Sequence, residues 1–318
     1  MLPSFVLIAL SFLASTAAAA VIQVRNPSSR GNSTRHQITD FRHFECGTDI
    51  THASEELLNS SKILHESHKL FVLEAPQNSH KALRARDVIS IPTYFHIVTT
   101  AADPNAITDD MANGQLAALN KAYNPQNIRF DLVASTRHTN DVWAVGDEAA
   151  EADINSKLRT GTYSTLNMYF QSDLAGSILG KCSMPSAIGD GQVDSSVYVS
   201  DGCHINGGTM PGGVVDGYNM GMTAVHEVGH WLGLLHTFEG YSCDGDGDLI
   251  ADTPVQSTST DGCPTNPPKD SCPRSDAAPG PDLIHNYMDY SIDSCYESFT
   301  PGQGIRMHDN WVQFRGGR

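Results

Sequence analysis

Three histidines, at 226, 230 and 236 within HEVGHWLGLLH, are spaced to hold a metal ion under one geometric condition. Four residues of an α-helix return a side chain to the same face, so His226 and His230 can share one cation. His236 would lie about 15 Å along the axis from His226 if the helix ran on. The chain must therefore reverse between 230 and 236, and Gly233 supplies the residue that can take the left-handed conformation ending a helix. Three imidazoles on one zinc ion, at about 2.0–2.1 Å, leave a fourth position open. Glu227, turned about 100° around the helix from His226, is then free to take a proton from a water polarised in that position. His-Glu-x-x-His arises by chance in a chain of this length on the order of 1% of the time, and the added glycine and histidine lower that about a thousandfold. The spacing is therefore read as a site.

Such a site needs a scaffold, and the sequence on its N-terminal side is regular. A strand is predicted at 89–99. A helix follows over 107–124, with Thr108 as N-cap and Leu116, Leu119 and Tyr123 on one face, then an alternating strand at 127–133. A polar helix near 147–158 and strands at 165–172 and 195–201 continue the alternation, which gives an α/β (α+β) fold with one twisted sheet covered by helices. From 237 to 299 the chain is rich in Cys, Pro, Gly, Asp and Ser, the composition of an irregular subdomain held by disulfides more than by a core. A last helix is expected at 301–314, with Pro301 in its first turn. The two layers meet near the histidines, so a cleft is expected there.

The chain of 318 residues is long enough for a sizeable core. Its net charge of −16 argues against nucleic acid and against docking on anionic lipid, both of which need a basic surface. The charge is unevenly spread: 9 Lys+Arg against 7 Asp+Glu over 21–86 give +2, and 11 against 29 from 87 onward give −18. The opening stretch has an uncharged apolar centre, Phe5 to Ala14, and small residues suited to cleavage near Ala18 to Ala20, so 1–20 is read as a secretory signal; an uncleaved anchor is the alternative. Secretion implies paired thiols, yet there are seven cysteines. Six lie in the acidic body, and Cys46 stands alone in FECGTD. Residues 21–86 carry the glycosylation sequons at Asn32 and Asn59 and end in the basic stretch KALRAR, the composition of a pro-segment or of a flexible extension.

The long motif, followed by the turn HNYMDYS that would set Met288 beneath the metal, resembles the metzincin zinc peptidases. HTFEGYSC, NYMDYS and SFTPGQ are similar to segments of the pappalysin family, in particular its secreted fungal and bacterial members, over about 88–318. The resemblance implies a zinc endopeptidase domain over 87–318, with an upper part to about 236 and a lower part from 237. It implies extended polypeptide substrates paired with an edge strand near 176–185. The acidity of the body adds an expectation of basic residues around the cut. It also implies that Tyr290 hydrogen-bonds the tetrahedral intermediate or nears the zinc, a buried structural tyrosine being the alternative. FECGTD resembles the family's Cys-Gly-Thr inhibitory segment, in which a thiolate, here that of Cys46, fills zinc's fourth position until the pro-segment is cut; a disulfide is the competing reading. The resemblance further implies the pairs Cys243–Cys272 and Cys263–Cys295, leaving Cys182 with Cys203, where six cysteines alone permit fifteen pairings. CDGDGDLIADTP resembles the family's calcium loop, with Asp244, Asp246, Asp248 and Asp252 as oxygen ligands, although a solvated acidic loop reads almost as well. The oligomeric state is left open.

Overall fold

Residues 44–74, 78–188, 195–273 and 280–318 are described in the computed structural model of the protein. The expected signal stretch and the Asn32 sequon lie outside them. An extended stretch from 44 leads through a tight turn at Ile50–His52 into helices α1 (Glu55–Glu74) and α2 (Asn78–Arg84). α1 carries Asn59 on its exposed side and buries Leu57 among Met184, Leu235, Leu249 and Phe314.

The sheet begins with β1 (Ile89–Thr99) and α3 (Asp109–Tyr123), followed by β2 (Ile128–Thr139), α4 (Asp141–Val145) and α5 (Glu148–Leu158). It continues through β3 (Leu166–Gln171), β4 (Gly180–Cys182), α6 (Ser196–Val199) and β5 (Cys203–Asn206), before α7 (Met222–Trp231) and α8 (Pro301–Asn310). The strand order is β2-β1-β3-β5-β4, with every pair parallel except β4, which lies antiparallel to β5 at the edge. β3 is buried at all six positions because both faces of the sheet are covered. On one face α3 packs with α7. The Thr108 side chain accepts from Met111 N–H to start α3, Leu119 and Tyr123 are buried, and the Tyr123 hydroxyl donates to the Val225 carbonyl of α7. On the other face His96, Tyr169 and His204 stack in a row, with His96 Nε2 bonded to Asn167 and the two ring nitrogens of His204 to Gln171 and Asn155.

The strand expected at 195–201 is absent. The Ser195 side chain accepts from Tyr198 N–H and starts the short helix α6, and the Arg159 guanidinium sits 4.5 Å over the Tyr198 ring. A cap and a tertiary anchor outweigh the β-branched and aromatic composition of SSVYV. The strand comes instead at Cys203–Asn206, wholly buried and without alternation. The last helix also stops sooner than expected. After Asn310 the chain widens into a π-turn, Trp311–Arg315, bringing the Arg315 guanidinium to Asp201, 2.9 Å from Oδ1.

Between 237 and 299 the regular structure is a single tight turn, Asp293–Cys295, among the described residues. Disulfides join Cys243 to Cys272 and Cys263 to Cys295, while Cys182–Cys203 ties β4 to β5. Buried carboxylates do much of the remaining work: Asp289 accepts from the N–H and the hydroxyl of Thr260, and Asp282 pairs with Lys269 at 2.8 Å.

Candidate active site

α7 is buried from Thr223 to Trp231, and its four-residue spacing puts the Nε2 atoms of His226 and His230 3.1 Å apart. The helix then stops. Gly233 has φ +84°, its N–H donates to the His230 carbonyl at 2.8 Å, and Leu234 N–H donates back to the Gly229 carbonyl at 2.9 Å. A Cβ at 233 would also meet Asn310 Nδ2 at 2.3 Å, the amide that bonds the Leu232 and Gly233 carbonyls. The reversal returns His236 so that its Nε2 lies 3.1 Å from that of His230.

Each Nδ1 faces an acceptor: the Tyr287 carbonyl at 2.7 Å for His226, the Leu234 carbonyl at 2.8 Å for His230, and Glu239 Oε2 at 3.5 Å for His236. Those partners hold the proton on Nδ1 and leave three Nε2 lone pairs converging in a buried space, where they repel unless a cation lies between them. Burial holds His226 and His230 well below the usual imidazole range, so proton uptake does not relieve the crowding. The donor set fits zinc.

The fourth ligand atom comes from the N-terminal stretch. Cys46 is free, and its Sγ and the three histidine nitrogens all lie within 4.8 Å of one another. Backbone bonds to the sheet edge hold it there: Leu179 N–H donates to the Glu45 carbonyl and Gly47 N–H to the Gly180 carbonyl, both at 2.8 Å, in parallel register with β4. Two residues on, the Thr48 hydroxyl lies 3.1 Å from Glu227 Oε2 and accepts from Cys182 N–H at 2.9 Å. Glu227 is fully buried, and Oε1 has no partner among the described residues. Burial pushes its carboxyl up to about 7, against hydrogen bonds from Cys46 and Thr48 that favour the anion.

Met288 is fully buried under α7 and packs where a Cβ on Gly229 would lie 2.4 Å from its sulfur. The Tyr290 hydroxyl is 3.3 Å from His236 Nε2, and the Cys46 backbone N–H reaches it. The aspartates disperse: no three of them bring carboxylate oxygens within 4.8 Å of one another. Asp246 pairs with Lys69 of α1 at 3.3 Å, and Asp252 accepts from Thr300 and from Gly302 N–H at the start of α8. Asp244 is exposed, and Asp248 is buried, with Oδ1 bonded to Thr253 and Ile250 N–H and Oδ2 unpartnered among the described residues. Two residues at the site went unsingled in the sequence, Phe44 and Thr48. Both lie inside FECGTD, and the segment itself was the signal that could have found them.

Residues 151–312 match the family of pregnancy-associated plasma protein-A. The chain is 44% identical over 278 residues to an extracellular metalloprotease of Pyricularia oryzae, covering 86% of this chain and 91% of that one. The chain belongs to the pappalysin family. A second relative of this pappalysin, an extracellular metalloprotease of Aspergillus fumigatus, is 46% identical over 283 residues, covering 80% and 85%. Among solved structures, mature mirolysin of Tannerella forsythia in complex with a cleaved peptide superposes with a TM-score of 0.56 at 27% identity, covering 70% of this chain and 92% of that one. The pappalysin is thus a metalloprotease of metzincin fold, and its family implies a catalytic zinc. Among its described residues no helix is long and apolar enough to cross a membrane.

Proposed function

We propose that the chain is the secreted precursor of a zinc endopeptidase that cuts extended polypeptides. In this reading 1–20 is a signal, 21–86 an inhibitory pro-segment glycosylated at its exposed Asn59, and 87–318 the catalytic domain. The observation that carries the reading is the gathering of Cys46 Sγ with three imidazole nitrogens. His226, His230 and His236 hold the zinc, and the Cys46 thiolate occupies the place of water in the precursor. Thr48 adds a second block by engaging Glu227. Cleavage at or near KALRAR lifts both.

When bound, zinc supplies the positive charge that acidifies a water and polarises a peptide carbonyl. Glu227, released from Thr48, takes the proton of that water and passes it to the leaving amine. The Tyr290 hydroxyl donates to the oxyanion. β4, vacated by residues 45–47, offers its backbone groups to the substrate main chain.

The test is the zinc-loaded protein freed of 21–86. Glu227→Ala should lose at least about a hundredfold in kcat while keeping one zinc per chain; undiminished digestion by the zinc-loaded variant would discard the base. Tyr290→Phe should lose about tenfold to a thousandfold in kcat with KM little changed. The uncut Cys46→Ser precursor should digest casein where the native precursor does not. Calcium is the second cation of this reading, and the unpartnered oxygen of Asp248 is the group that would take it; calorimetric titration with calcium giving equal heats for the native protein and Asp248→Asn would remove it.

A further inference from the structure

Helix α8 supplies no ligand atom to the metal centre, yet each of its ends grips backbone that orients the ligands. Near its start Gln303 forms a reciprocal amide pair with Asn286: Asn286 Nδ2 donates to Gln303 Oε1 at 2.8 Å, and Gln303 Nε2 donates to Asn286 Oδ1 at 3.0 Å. That same Asn286 oxygen accepts from Met288 N–H. Tyr287, between the two, gives its carbonyl to His226 Nδ1. At the far end of α8 the Asn310 amide donates to the Leu232 carbonyl at 3.0 Å and to the Gly233 carbonyl at 3.3 Å. Just beyond, Arg315 Nε donates to the Trp231 carbonyl at 3.0 Å. The carbonyls of 231, 232 and 233, where α7 gives way to the bend, are thus all taken by side chains from 310–315. The next one, that of Leu234, accepts from His230 Nδ1, and His236 follows two residues later.

We propose that α8 is the strut of the metal centre, with Gln303 and Asn310 as positioning residues that set zinc affinity through the backbone carrying the ligands and their acceptors. The inference rests on reading His226, His230 and His236 as the zinc ligands. Seven residues make almost two helical turns, so Gln303 and Asn310 lie about 20° apart around α8 and about 10.5 Å apart along it. One face therefore reaches the methionine turn and the Gly233 bend together. Both side chains are fully buried, so neither amide can trade its bonds for bonds to solvent.

A strut must itself be held. The Thr300 hydroxyl and Gly302 N–H donate to the Asp252 carboxylate at 2.7 and 2.8 Å and fix the start of α8, while His308 Nε2 donates to the Gln126 carbonyl at 2.8 Å. Past the helix, Arg315 lies 3.7 Å over the Trp231 ring and reaches Asp201. With α8 fixed at these points, a fault at either amide falls on the ligand backbone. Asn310 acts on His230 and His236 through one bend, and Gln303 on His226 alone, so Asn310 should matter more.

The experiment measures the zinc affinity of the full chain by competition with a chromophoric chelator, beside the Tm of the zinc-free protein. Asn310→Leu and Gln303→Met keep side-chain volume and remove the amide. Asn310→Leu should weaken zinc binding about tenfold to a hundredfold, as loss of a ligand's orienting partner does, and Gln303→Met should weaken it less. Leu166→Ala, a core truncation that touches no ligand, should lower Tm and leave zinc affinity as it is while the chain stays folded. A folded Asn310→Leu with native zinc affinity overturns the strut, and so does an equal loss in Leu166→Ala. Should Asn310→Leu not fold, Gln303→Met decides by the same measure. A native chain that takes up no zinc overturns the ligand reading and the strut with it.

Discussion

The histidine pair and the tyrosine of this site are positioned by two regions that work differently. In the sheet half, 89–231, a helix of ten residues puts His226 and His230 on one face by its own repeat, with their Nε2 atoms 3.1 Å apart, and a distant carbonyl enters only to fix the ring of His226. Among the described residues of the segment 237–299 there is almost no regular structure, and Met288 and Tyr290 stand on a turn fixed from outside. Asp289 is held by Thr260, the Tyr296 hydroxyl donates to the Asp289 carbonyl, and Asn286 is locked to Gln303 of α8. One region stores its geometry in local periodicity, the other in long-range polar contacts and two disulfides. A local perturbation should therefore spread further in the second.

The largest effect is expected where the sheet half is tied to the turn that ends the chain's last helix. Asp201 is buried and accepts from Arg159 at 3.3 Å, Arg315 at 2.9 Å and the Trp231 indole at 3.1 Å. Asp201→Ala leaves two guanidinium groups buried without their carboxylate and should cost about 3–5 kcal/mol in chemical denaturation. Next comes loss of one staple of the irregular segment. Cys263→Ser with Cys295→Ser should cost about 2–4 kcal/mol, and hydrogen exchange should quicken over 256–299 while β1 and β3 stay protected. Uniform quickening across the sheet would erase the distinction between the regions. Gly233→Ala comes third, at about 2 kcal/mol, since the new methyl must adopt φ +84° and displace the Asn310 amide. Its zinc stoichiometry should fall below one per chain, because His236 depends on that bend.

The same contrast explains what could be read from the sequence. Thr108, Leu119 and Tyr123 announced α3, and Gly233 announced the end of α7, because capping and helical spacing are local signals. β5 was missed because four buried residues, Cys203–Asn206, show no alternation, and SSVYV was misread because its fate depends on Ser195 and on an arginine 39 residues away. Asp201 gave no sign of its importance, since Arg315 lies 114 residues along the chain. CDGDGDLIADTP resembles a calcium loop with Asp244, Asp246, Asp248 and Asp252 as ligands, but no local signal tells that Asp246 pairs with Lys69 of α1 or that Asp248 turns inward to Thr253. The place of Phe44 was equally hidden. Nothing in FECGTD says which wall its ring will meet.

The smallest effect should come from the methionine. Met288 packs its sulfur under Gly229, but the contacts that orient the histidines are made by the backbone of its turn: the Tyr287 carbonyl takes His226 Nδ1, the Met288 carbonyl accepts from Thr237 N–H, and Met288 N–H donates to Asn286. Met288→Leu keeps an apolar side chain of similar volume and leaves those bonds in place, so it should cost about 1 kcal/mol, or about 2–4 °C in Tm, with zinc stoichiometry unchanged. If instead it exceeded Gly233→Ala in either measure, the side chain and not the turn would be setting the ligand, and the irregular segment would owe its geometry to packing just as the sheet half does.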